Sequence, residues 1–119
     1  MSDEHDLYVI TNERQAYKIL TSSRYDYEEV ITPIQATDEI VTIFCRLHGG
    51  LEEAMPIIRT QFKKASVDFS RPNREGLKTV VRNLVEVTAF LKGRKLAELE
   101  KKRFEHIIKC IGSPDPYAG

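Results

Sequence analysis

No apolar run in this chain exceeds a few residues, far short of the ~20 that a bilayer-crossing helix requires, so the sequence predicts no membrane span. No secretory leader is expected either. The chain opens Met-Ser-Asp-Glu-His-Asp, acidic where a leader is basic and then apolar, and the expected location is the cytoplasm. Cysteine is scarce: Cys45 and Cys110 each fall inside an apolar helical pattern and read as buried thiols in a reducing compartment, not as a disulfide or metal ligands. The only glycine-rich spot is His48-Gly49-Gly50. It has no strand before it and no Lys-Ser or Lys-Thr after it, which excludes a P-loop and a dinucleotide fingerprint and leaves a helix C-cap as the reading. Internal repeats, low-complexity stretches and domain linkers are absent.

Catalytic patterns are missing as well. A nucleophile needs a base beside it, and nothing around His5, His48 or His106 resembles a nucleophile elbow. His106 and Cys110, four apart on one helix face, have a zinc-compatible spacing but no further ligands to complete a site. Paired Glu-x-x-His motifs for a di-metal bundle do not occur. The expectation is therefore a protein that is not an enzyme, with no cofactor and no metal.

What is present is a helical pattern and a charge layout. The 119 residues make one domain, able to bury roughly two-thirds of the surface of the unfolded chain. At 41% hydrophobic and 30% charged residues, disorder is excluded. Net charge is zero but unevenly spread: residues 1–60 hold 11 acidic against 5 basic residues, and residues 61–119 hold 7 against 13. Such a chain either pairs its own halves or offers one signed surface to a partner.

The periodicity predicts a first helix over about 13–20, with Ala16, Tyr17 and Leu20 inward, and a loop or an extra turn over 24–32. Thr32, Pro33 and Gln35 then form a capping box with proline at the first helical position, opening a helix over about 33–48. A third helix, about 51–65, carries the seam Leu51, Met55, Ile58, Phe62 and Ala65; Pro56 inside it predicts a kink or a true start near Ala54. The fourth, about 74–91, is the expected centre of the bundle. Leu77, Val80, Val81, Leu84, Thr88 and Leu91 form its stripe, and the segment 84–91 looks apolar on most sides. Gly93 either turns the chain or lets helix 74–91 continue into helix 94–111, whose inward residues are Leu96, Leu99, Phe104, Ile107, Ile108 and Ile111. The fold expected is all-α: a single-domain bundle of four to five helices over residues 1–112, with residues 113–119 as a loose tail.

Two features point to partners. Arg71, Arg74, Lys78 and Arg82 repeat at steps of three and four and could follow a polyanion, with Arg94, Lys95, Lys101, Lys102 and Arg103 on the next helix. Glu75, Glu86, Glu98, Glu100 and Glu105 dilute that field, and Phe90 and Phe104, the aromatics able to stack bases, are assigned to the core. Tyr25 and Tyr27, in the densest tyrosine cluster, are candidate docking residues. The function expected is protein–protein interaction, as an adaptor, regulator or assembly subunit acting through helical surfaces and forming a homodimer. Nucleic-acid binding through the basic stripe is the alternative, and a small-ligand protein or enzyme with a site outside known motifs is the third.

Overall fold

The computed structural model describes Leu20 and residues 30–112. Among these residues the fold is all-helical, with four helices and no strand: α1 (Pro33–Leu47), α2 (Leu51–Lys64), α3 (Arg74–Lys92) and α4 (Arg94–Lys109). Leu20 is helical and buried, at the end of the predicted first helix. The rest of that segment, together with Tyr25, Tyr27 and the tail 113–119, lies outside the described residues.

Local sequence sets each helix start. The Thr32 hydroxyl accepts from the Gln35 backbone N–H at 3.0 Å while Gln35 Oε1 accepts from the Thr32 N–H at 2.9 Å, the predicted capping box. Asn73 caps α3 by accepting from the Gly76 N–H at 2.7 Å. Helix α2 starts at Leu51, not near Ala54, and Pro56 sits inside it. Its opening turn carries Glu52 and Glu53, which suit the positive end of the helix.

Gly93 turns the chain. With φ 102° and ψ 161° it occupies a region open essentially to glycine alone, and it ends α3 and starts α4 at once. Its N–H bonds to the Ala89 carbonyl and its own carbonyl accepts from the Ala97 N–H, so both helix ends are served by one residue. The alternative of one long rod across 74–111 is thereby corrected: α3 and α4 fold back on each other as a hairpin, with Thr88 bonded to Glu100 across it.

Helices α1 and α3 each pack on all three other helices, so the centre of the bundle is shared between them. Ile40, Phe44, Leu47, Ile58, Leu77, Leu84, Phe104 and Ile107 are completely buried between the helices. Each such side chain contributes about 1.5–3 kcal/mol over its exposed state. A parallel bridge between Ile31 and Ile111 ties the chain leading into α1 to the chain leaving α4, with the Ile31 N–H donating to Cys110 and the Gly112 N–H donating to Ile31.

Several inward assignments are corrected. Phe90 is 87% exposed because it lies off the 77–88 stripe, on the far side of α3. Leu91 keeps the phase of the stripe but falls in the last turn and is 53% exposed, so the end of α3 is a surface and not the middle of the core. In α2, Leu51 is exposed at the first position, and the buried face is Ala54, Ile58, Gln61 and Phe62.

Candidate functional site

Polar residues are gathered in three places, the first of them inside the bundle. Thr88 keeps the phase of the Leu77–Leu84 stripe and therefore faces the core with no exposure. His48 caps the C-terminus of α1, its ring stacked on Phe44 with centroids 4.0 Å apart. The Thr88 hydroxyl donates to Glu100 Oε2 at 3.0 Å and lies within hydrogen-bond distance, 2.8 Å, of His48 Nε2. Glu100 is fully buried on α4, and its Oε1 has no hydrogen-bond partner among the described residues.

Burial pushes the Glu100 carboxyl up to about 8, against the hydrogen bond from Thr88 that favours the anion. His48 is lowered to about 4, first by burial and then by the Lys92 charge. At neutral pH both groups are thus uncharged, and the three side chains form a neutral relay in the core. Thr88 cannot serve as a nucleophile from there: it is sealed from solvent and its hydroxyl is engaged on both sides.

The second place is also buried. Glu39 on α1 meets Arg103 Nη2 on α4 at 3.5 Å, with side-chain exposures of 3% and 8%. Arg103, expected among the exposed cations of the last helix, instead joins the two oppositely charged halves of the chain inside the fold. Glu100, expected to dilute the surface field, is likewise removed from the surface.

The third place is the basic stripe. Arg74, Lys78 and Arg82 line a groove of about 710 Å3 between α3 and α4. Arg71 precedes α3, is exposed, and is not among the lining residues. Lys78 is paired at 3.2 Å with Glu75 on its own helix. The opposite rim, on α4, carries Arg94, Glu98, Lys101, Glu105 and Lys109, and Val81, Val85 and Ile108 form an apolar floor. Six cations thus face three carboxylates, counting Glu86.

A shallower groove of about 670 Å3 runs between α2 and α3. Its lining includes Pro56, Ile57, Val87, Phe90 and Leu91, with Lys64 and Glu86 as the charged members.

No group of three or more His, Cys, Asp and Glu is arranged to hold a metal among the described residues. Cys45 is buried and Cys110 half-buried, and neither is in a disulfide. His106 Nε2 and Cys110 Sγ stand 4.0 Å apart on the exposed side of α4. Among the described residues no helix is long and apolar enough to cross a membrane. Comparison with protein-family models, characterised proteins and solved structures finds no match for this chain.

Sequence reasoning missed the buried His48–Thr88–Glu100 set and the Glu39–Arg103 pair although a signal existed. Ala97, Glu100, Phe104, Ile107 and Ile111 keep helical steps, so Glu100 shares the apolar face; Ala36, Glu39 and Ile43 place Glu39 on the inward side of α1 in the same way. A carboxylate in phase with core residues implies a buried partner.

Proposed function

We propose that this chain is a non-enzymatic interaction module that works through helical surfaces and associates with itself through the groove between α2 and α3. The observation that carries the reading is Phe90, 87% exposed at the edge of an apolar groove. A phenylalanine left in water forgoes about 1.5–3 kcal/mol of burial, and aromatic residues of this kind anchor protein interfaces. Lys64 and Glu86 give the same groove one charge of each sign, which suits a two-fold contact in which a patch meets its own copy. In a dilution series followed by nuclear magnetic resonance, concentration-dependent shifts are expected to cluster at Ile57, Val87, Phe90 and Leu91. Shifts that are absent, or scattered over all four helices, defeat the reading.

Nucleic-acid binding is the second reading, favoured by the three stripe cations that line the α3/α4 groove opposite Arg94, Lys101 and Lys109. It predicts affinity that falls steeply with salt and is abolished by Arg74→Glu with Arg82→Glu. Binding that survives the double reversal at low salt rules out the stripe. Among the described residues the exposed aromatics, Phe69 and Phe90, do not line this groove, so neither offers single-stranded bases a stacking platform there.

A further inference from the structure

We infer that the α3/α4 groove is a docking site for an acidic amphipathic helix of a partner protein. The inference rests on the reading of the chain as a protein-interaction module and assigns one of its surfaces a ligand chemistry. The two rims differ in charge order. Along α3, Arg74, Lys78, Arg82 and Glu86 follow at steps of four, giving three cations and then a carboxylate. Along α4, Arg94, Glu98, Lys101, Glu105 and Lys109 alternate in sign at steps of four and three. A phosphate backbone, uniform in charge, meets a carboxylate at every second position of the α4 rim and loses there what it gains beside it. A helix can match both rims, with acidic residues toward α3 and alternating residues toward α4.

The floor makes the same distinction. Val81, Val85 and Ile108 lie between the rims, and aliphatic side chains there receive the apolar stripe of a helix but give phosphates nothing to bond. From Arg74 to Glu86 the α3 rim runs about 18 Å, and from Arg94 to Lys109 the α4 rim runs about 22 Å, the length of roughly four helical turns. A helix laid along the antiparallel pair α3 and α4 buries its stripe against both, as a third helix does in a bundle.

The test uses the full chain and two synthetic helical peptides of about 18 residues, long enough to span the groove. Both carry leucine at alternating third and fourth positions. One has glutamate at the three positions facing Arg74, Lys78 and Arg82 and lysine at the position facing Glu86, with alternating glutamate and lysine on the other flank; the second has the signs of the first flank reversed. Binding is measured by fluorescence anisotropy, with a duplex oligonucleotide as competitor. The glutamate peptide is expected to bind the wild type and to lose about tenfold in affinity on Arg74→Glu with Arg82→Glu, the size expected of two rim ion pairs turned repulsive. The lysine peptide is expected to prefer that variant over the wild type.

Equal binding of the two peptides to the wild type, binding by neither, or displacement by the oligonucleotide with loss of oligonucleotide binding in the double variant overturns the inference. Circular dichroism of the variant confirms that its helices form. Phe90→Glu, outside this groove, should leave peptide affinity within about twofold, as expected of a separated site. Failure of self-association with peptide binding intact therefore removes the α2/α3 contact alone, while the converse removes only the α3/α4 assignment.

Discussion

The Thr88 hydroxyl joins Glu100 and His48 inside the bundle, 3.0 Å from the one and 2.8 Å from the other, so α1, α3 and α4 meet at a single buried oxygen. Both flanking groups are held in their neutral forms, and this couples the stability of the fold to pH.

The sign follows from the two groups separately. Glu100 titrates at about 8 in the fold against 4.5 for an ordinary glutamate, so the folded chain binds more protons between those values and stability falls as pH rises through them. His48 titrates at about 4 against 6.5, so the unfolded chain binds more protons between those values and stability rises with pH. The slopes cancel from pH 4.5 to 6.5. From pH 6.5 to 8 only Glu100 acts, and stability drops by about 2 kcal/mol. Urea unfolding across this range should show the plateau and then the decline. Glu100→Gln should abolish the decline above 6.5 and uncover the His48 slope below it; an unchanged profile in that variant contradicts the assignment.

The Glu39 and Arg103 pair predicts a strong asymmetry between single and double substitution. Arg103→Met removes the guanidinium facing the buried Glu39 carboxylate and should cost about 1–3 kcal/mol, the range for a buried polar group that loses one of its partners. Replacing both, Glu39→Leu with Arg103→Met, should recover most of that loss, since two apolar side chains of similar volume need no desolvation. Thermal unfolding of the three chains decides it. A double variant no more stable than Arg103→Met shows that the pair is not the source of the cost.

Gly93→Ala should destabilise the chain by about 1–3 kcal/mol, because an alanine is strained at φ 102° and ψ 161°. Space is not the cause: a methyl group there would have open surroundings. Calorimetry of the variant should therefore show a lowered midpoint with unchanged helix content below it. An unaltered midpoint means that the chain does not turn at this residue.

Helices α1 to α4 were readable because their signals are local. Thr32, Pro33 and Gln35 announce α1 within four residues, and the step from Leu77 to Leu84 announces the buried side of α3. The direction of the chain at Gly93 was not readable, since glycine serves equally as a C-cap and as a tolerated interior residue, and only packing of α3 on α4 selects between them. The candidate surfaces were half legible. Arg74, Lys78 and Arg82 do share a face, but Arg71 stands apart from the groove and the α4 residues opposite depend on the hairpin. Apolarity alone places Phe90 in the core, whereas its phase, off the Leu84 and Thr88 stripe, points it away from the core.

Sedimentation velocity over a wide range of concentrations, on the wild type and on Phe90→Glu, decides whether the exposed end of α3 is a contact surface between copies of this chain. The wild type is expected to pass from monomer to dimer as concentration rises, and the variant to stay monomeric with its helices intact. A wild type that remains monomeric throughout, or a variant that dimerises equally well, contradicts that contact.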